Sequence, residues 1–395
     1  MNAFAPAIQA SLLSDARKGA SLRRWSVRDL LCYSSSNGND TAEGVESLLR
    51  EVQIRLAVQH GKLSSFSTSI EEHAKAAGSD IERARSCLKS LMQLHENTYL
   101  LPYRIVDGDW RGLLEKFTRP NRKYVAGVFD EIMSRHGSAV ETLADAVIHA
   151  RGGMERREFG EQDFPRDKSV ESFLHSRLMI QLLCDHYISL NKGKSTGAVS
   201  LGADMAGVID DASTEARHVC DANLGVAPEV HIQPEESVGR HDFQPPPIIR
   251  SWLHHAIVEV TKNAMTSNVQ KHSIQSESIP PGVHISFGTK IICSSKFLRI
   301  RIKDQDIGLT NKELAFGFAQ SSSQKRWDRL QEQQSYAAVR QPLGSLGVGL
   351  PLSRLMLRVF GGNLDVSNND GEGDASSGCT ATLMISYDDS HIAEN

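Results

Sequence analysis

The stretch VEVTKNAMTSN, residues 258–268, has helical spacing, yet it sets Glu259, Lys262 and Asn263 within about one and a half turns. Read as part of a helix over 252–268, it places Leu253, Ala256, Ile257, Val260 and Ala264 on one apolar stripe. Such a stripe docks on a sheet. At about 100° per residue, Glu259 and Asn263 fall about 40° apart on one flank of it. Lys262 is expected near the opposite face. A carboxylate beside an amide carbonyl offers the oxygen ligands, or water-orienting groups, that a hard Mg2+ takes. A solvated helix flank would account for the same residues, so the surrounding sequence has to decide.

Around this helix the pattern is mixed. EVHIQ (229–233), GVHISFG (282–288), FLRIRIKD (297–304) and CTATLMISY (379–387) alternate like half-buried strands. A helix over 204–224 is expected to end at Gly225, and another runs over 350–359. Strands and helices in this order predict an α/β sandwich. Asp304 stands just past a strand end, where a carboxylate can accept a hydrogen bond from an exocyclic amino group such as adenine's. In PLGSLGVGLPLSRLMLRVFGGNLDV (342–366), Gly344, Gly347 and Gly349 precede a helix with Pro351 in its first turn. Small residues let backbone amides approach closely, and a helix start attracts anions, which makes this a candidate phosphate cradle. Between Asp304 and that helix, residues 310–341 are polar and rich in Gln and Ser, the composition of a lid that orders over nucleotide.

Upstream, residues 26–190 read as helix. VESLLREVQIRLAVQ (45–59), residues 69–94 with a break at Gly78, one long run over 124–150, and VESFLHSRLMIQLLCDHYISL (170–190) are four amphipathic segments. Four such segments with polar joints predict an up-and-down bundle. NKGKSTGAVSLG (191–202) reads as a linker. Its Gly-Lys-Ser-Thr is no P-loop, because the motif needs a glycine five residues before Gly193, where Ile188 stands, and a preceding strand.

The totals fit two domains. The chain has 395 residues, 40% hydrophobic and 23% charged, with a net charge of −4 that gives no basic field for nucleic acid. No apolar run approaches the roughly 20 residues that span a bilayer. The six cysteines are scattered, without a Cys-x-x-Cys pair, and read as reduced thiols. Residues 1–25 are basic and rich in Ala and Ser, which fits a mitochondrial targeting segment, or equally a basic first helix.

Asn on a helix, Asp after a strand, a polar lid and a glycine-rich helix start form an ordered set. The set resembles the ATP-binding domain of the GHKL superfamily, shared by histidine kinases, chaperone ATPases, mismatch-repair ATPases and gyrase. The likeness tightens to the mitochondrial protein kinases of pyruvate dehydrogenase and branched-chain 2-oxoacid dehydrogenase. EVTKNAM is similar to that family's Glu-x-x-Lys-Asn-Ala-Met, and GVGLPLSRLMLRVFGGNL to its second glycine box. RHGSAVETLADAV (135–147), SRLMIQLLCDH and LREVQIRLA resemble its bundle signatures, so the likeness covers nearly the whole chain.

The resemblance implies an α+β protein: a targeting segment over 1–25, a four-helix bundle over 26–192 and a GHKL-type sandwich over 203–388. It implies an ATP-dependent serine kinase of the mitochondrial matrix that phosphorylates and inactivates the E1α subunit of a 2-oxoacid dehydrogenase complex. Pyruvate dehydrogenase comes first and the branched-chain complex second. The lipoyl-bearing E2 core is the implied second partner, and the implied oligomer is a homodimer. By matched position, Glu259 orients or deprotonates the substrate serine, and His136 polarises it. Asn263 holds Mg2+, and Asp304 reads adenine. Gly308, Ser322, Ser323, Leu346, Gly347, Val348, Gly349 and Leu350 line the ATP site. A K+ site near the lid is also implied, while Lys262 matches a family lysine whose role the sequence does not supply.

Three departures stand out. The family's first glycine box, Asp-x-Gly-Gly-Gly, reads Asp304-Gln305-Asp306-Ile307-Gly308. Ser345 replaces a glycine of the second box, and Cys379 a threonine hydroxyl near adenine. The alternative is therefore a catalytically weak pseudokinase or scaffold of the same complex. The sequence ends at Asn395 without the Asp-Trp tail of pyruvate dehydrogenase kinases. With GVAPEVHI that favours the branched-chain type, whereas PLSRL and the first-helix motif favour the pyruvate type.

Overall fold

The computed structural model describes residues 14–15, 22, 25–35, 42–77, 81–101, 122–152, 167–238, 243–275, 280–305, 308–309, 312, 314–318, 347–369 and 378–388. The chain divides into two units, Met1–Ala198 and Val199–Asn395.

The first unit is helical. It contains α1 (Val27–Ser35), α2 (Ala42–Ala77), α3 (Glu82–Tyr99), α4 (Arg122–Arg135), α5 (Ala139–Gly152) and α6 (Asp167–Asn191). α2 packs on α3 and α6, α3 also on α5, and α4 on α6. The contacts are built by periodic apolar residues such as Leu56, Leu63, Leu88, Leu91, Phe129, Leu143 and Leu182, all fully buried. α1 starts with a capping exchange: the Asp29 N–H donates to Ser26 Oγ, and the Ser26 N–H donates to the Asp29 carboxylate.

The run expected over 124–150 is two helices, not one. A three-residue corner at His136–Ser138 separates α4 from α5. The His136 carbonyl accepts a 2.6 Å hydrogen bond from Arg177 Nη2 on α6 as well as one from the Ala139 N–H. Apolar spacing continues through so short a corner, so periodicity alone cannot show it.

A buried polar network crosses this core. His95 faces the Leu91 carbonyl through Nδ1 (2.7 Å) and Gln59 Oε1 through Nε2 (2.9 Å). His136 Nε2 lies 3.0 Å from Thr98 Oγ1, and its ring meets His95 edge-on. Burial pushes His95, His175 and His186 down to about 4 and His136 to about 2. Unfolded, each returns to about 6.5. Between the two values the unfolded chain binds more protons, so this contribution to stability is complete above pH 6.5 and is lost as pH falls towards the folded values. Thermal unfolding of the protein is therefore expected to hold steady above pH 7 and to drop progressively from pH 6.5 to 4. An unfolding temperature that stays level across that range contradicts it.

The chain leaves this unit under a clasp. His186 Nδ1 accepts the Ala198 N–H, and Nε2 faces Ser34 Oγ on α1, each at 3.2 Å. Gly197 has φ +60°, and a Cβ there would stand 2.4 Å from the His186 ring. Gly197→Ala meets both penalties and should cost about 2–4 kcal/mol. Denaturant unfolding is the check, with Gly193→Ala, which has φ +86° but open space around it, as the milder comparison.

The second unit is a two-layer α/β arrangement. A five-stranded sheet has the order β2-β4-β5-β7-β6, with β2 (Val230–Pro234), β4 (Val283–Ile292), β5 (Ser295–Lys303), β6 (Asn363–Asn368) and β7 (Cys379–Ser386). β2 and β4 are parallel and the other pairs antiparallel. β1 (Val199–Ser200) and β3 (Ile248–Ile249) form a separate antiparallel pair. Helices α7 (Met205–Leu224), α8 (Arg250–Gln275) and α9 (Gly349–Arg358) share one core with the sheet. The register aligns Ile285 with Ile302, Ile300 with Leu383 and Leu383 with Leu364, so alternate residues form that core. α7 ends where expected, with Gly225 left-handed at φ 74°.

β6 was not among the expected strands. Only Leu364 and Val366 of it are buried, too few alternations to register as a strand by themselves. Its entry is set by Gly362, where a Cβ would stand 2.2 Å from the Met384 carbonyl oxygen.

Candidate functional site

α8 is pinned by its apolar stripe: Leu253, Ala256, Ile257, Val260 and Ala264 are all buried. The flank beside the stripe is not a solvated face. Glu259 is 8% and Lys262 7% exposed, and Lys262 Nζ donates to Glu259 Oε1 at 2.5 Å. The expectation that Lys262 lies near the opposite face is overturned. Positions i and i+3 are neighbours on a helix, about 60° apart, so the ammonium reaches back to the carboxylate. A carboxylate this buried is retained only with such a partner. Asn263, half-buried one position on, makes no side-chain hydrogen bond among the described residues.

One turn earlier, His255 joins this group, and the sequence reading passed over it. Among the described residues its buried Nε2 has no hydrogen-bond partner. Burial lowers its pKa, and the Glu259 charge works in the opposite direction. The i, i+4 spacing to Glu259 is the signal that could have flagged it.

Asp304 is buried where β5 ends, and the structure locks it to β7. The Asp304 N–H donates to the Cys379 carbonyl (3.0 Å), and the Cys379 N–H donates to Asp304 Oδ1 (2.7 Å). Asn369 Nδ2 donates to the Asp304 carbonyl, and Thr380 Oγ1 to Asn369 Oδ1. A Cβ at Gly378 would stand 2.2 Å from the Asp304 carbonyl oxygen. None of Asn369, Thr380 and Gly378 was singled out from sequence.

The next residues are tied to α8. Asn268 Oδ1 accepts the Gln305 N–H (2.9 Å), and Lys271 Nζ donates to the Gln305 carbonyl (2.7 Å). Gln305 thus has both backbone groups held by α8. Gly308 has φ 94°, a glycine conformation, and Asn368 bonds both the N–H and the carbonyl of Leu309.

Gly347, at φ 72°, leads through Val348 into α9, whose first residues are Gly349 and Leu350. α9 packs on α8 and β6, and the Arg354 guanidinium lies 4.2 Å over the Phe316 ring. Ser322, Ser323, Leu346, Ser345, Asp306 and Ile307 lie outside the described residues, as does most of the expected lid. His136 belongs to the helical unit, 4% exposed and bonded to Thr98.

Residues 24–210 match the family model described as mitochondrial branched-chain alpha-ketoacid dehydrogenase kinase. The mitochondrial pyruvate dehydrogenase (acetyl-transferring) kinase of Drosophila melanogaster is 28% identical over 268 residues, 64% of this chain and 60% of that protein. That of Schizosaccharomyces pombe is 26% identical over 68% of this chain and 60% of its own length.

Over these stretches the chain is similar to mitochondrial dehydrogenase kinases.

Human isozyme 1 of the pyruvate dehydrogenase kinases is 26% identical, across 61% of this chain and 55% of its own. The matched region therefore spans about 60% or less of the length of these relatives. Among solved structures, a mycobacterial sensor histidine kinase, MprB, aligns with 48% of this chain and 95% of its own at 18% identity and a TM-score of 0.31.

Proposed function

We propose that this chain is an ATP-dependent protein-serine kinase acting on the E1α subunit of a 2-oxoacid dehydrogenase complex. The placement is the mitochondrial matrix, in keeping with the location named for its relatives. Pyruvate dehydrogenase is the first candidate, as in the names of the curated relatives, and the branched-chain complex the second, as in the family description. In this reading residues 26–192 form a four-helix bundle and 203–388 a GHKL-type ATP-binding domain. The lipoyl-bearing E2 core is the docking partner and a homodimer the working form.

The observation that carries the proposal is the buried Glu259–Lys262 pair with Asn263 beside it on α8. Phosphoryl transfer to a serine asks mainly for positioning and charge neutralisation. Glu259 would orient the hydroxyl and accept its proton, while Lys262 keeps the carboxylate compensated inside the protein.

Asn263 would offer Mg2+ one amide oxygen, a hard ligand of the kind that ion takes. When bound, Mg2+ would neutralise phosphate charge during transfer. K+ near residues 310–341 is the further ion in this reading. Asp304 would accept from adenine's amino group, and the backbone from Gly347 to Leu350 would face the phosphates.

The deciding assay incubates the protein with labelled ATP, Mg2+ and purified pyruvate or branched-chain E1. Transfer to one E1 supports the kinase. Failure both to transfer and to bind Mg-ATP sinks it and favours a scaffold of the same complex. Hydrolysis stimulated by neither E1 points instead to a chaperone-type ATPase.

A further inference from the structure

Asp15 sits in the basic N-terminal stretch that reads as a targeting segment, yet it is 1% exposed. Both carboxylate oxygens are engaged by the helical unit. Tyr99 Oη, at the end of α3, donates to Oδ2 at 2.7 Å, and Arg50 Nη2, on α2, donates to Oδ1 at 2.7 Å. Tyr99 is itself 1% exposed. Further along, Trp25 is buried, its ring edge-on to Tyr33 of α1, and Ser26 caps that helix.

A carboxylate enters a protein interior only if its charge is met there, and Asp15 is met at both oxygens. The reverse also holds: without Asp15, the buried Tyr99 phenol and the Arg50 guanidinium each lose one acceptor. A dispensable leader would not be expected to complete the packing of α2 and α3.

We infer that Ser14–Asp15 is an intramolecular latch of the helical unit, retained in the working protein. Any proteolytic removal of a leader would then stop before Ser14. Arg17, Lys18, Arg23, Arg24 and Arg28 would stay with the mature chain, and 1–25 would not be a removable segment as a whole. This inference is independent of the kinase reading.

The test compares the full chain with forms lacking residues 1–12 or 1–20. The shorter deletion should unfold within about 1 °C of the full chain, and the longer one about 4–8 °C lower. Equal unfolding of the full chain and the longer deletion overturns the latch. If the longer deletion does not fold, the pair Asp15→Asn and Tyr99→Phe decides. Shifts in unfolding temperature that are less than additive support a direct contact, and additive shifts overturn it. Intact-mass measurement of the chain recovered from its own cells gives the second readout. A first residue at or before Ser14 agrees with the inference, and one after Asp15 refutes it.

Discussion

Glu259→Gln is expected to lower the rate of phosphoryl transfer to E1 by about 10²–10⁴-fold, while Mg-ATP binds nearly as before. The reasoning rests on what the substitution leaves in place. Glutamine keeps the shape of the side chain and an oxygen facing Lys262 Nζ, but neither the charge nor the basicity of the carboxylate. Both groups are buried and their hydrogen bond is 2.5 Å, so the ammonium would be left without its counter-charge. Removing one partner of such a pair costs about 3–5 kcal/mol when nothing replaces it, and somewhat less here because the amide oxygen still accepts. Thermal unfolding therefore has to be measured with the rate. A folded variant that binds nucleotide and transfers at the original rate removes Glu259 from the chemistry. Lys262→Met supplies the complementary case: the carboxylate is intact, and its orientation is lost.

What the sequence disclosed, and what it hid, divides along the reach of the interactions. The stripe from Leu253 to Ala264 follows helical spacing, so the helix and its buried face were legible. The pairing of Lys262 with Glu259 was legible too, since i and i+3 are adjacent, and the opposite-face reading misjudged a local angle. The corner at His136–Ser138 was not, because the Arg177 contact that accompanies it comes from a helix 41 residues away in sequence. The surroundings of Asp304 were hidden for the same reason. Its acceptor role could be guessed from its place after a strand, but the bond from the Cys379 N–H spans 75 residues and the brace from Asn268 to Gln305 spans 37. Spacing reports which face a residue occupies, not which distant backbone completes it. The family likeness filled part of that gap, yet the matched family model covers 24–210 and stops before α8.

Asp304 and Gly378 give the second large effect, and together they separate recognition from support. In Asp304→Asn, the amide oxygen can still accept the Cys379 N–H, which keeps the β5–β7 junction closed. The amide would have neutral acceptor strength at best, and its NH2 would oppose the amino group of adenine. Nucleotide affinity should fall by about 10–100-fold, the equivalent of one charge-assisted hydrogen bond, with thermal unfolding nearly unchanged. Gly378→Ala acts from behind. Its Cβ would stand 2.2 Å from the Asp304 carbonyl oxygen and 2.8 Å from Asn369 Nδ2, and the nearer of these is backbone that cannot swing aside. The Asp304–Cys379 bonds must then open, so stability and nucleotide binding should fall together. Titration with Mg-ADP alongside thermal unfolding distinguishes the two variants. If Asp304→Asn binds nucleotide at full strength, the carboxylate is a structural clasp between β5 and β7, and adenine is read elsewhere. If it loses affinity while Gly378→Ala loses both, one buried carboxylate both closes the strand junction and selects the base, and the packing that holds it is part of the nucleotide site.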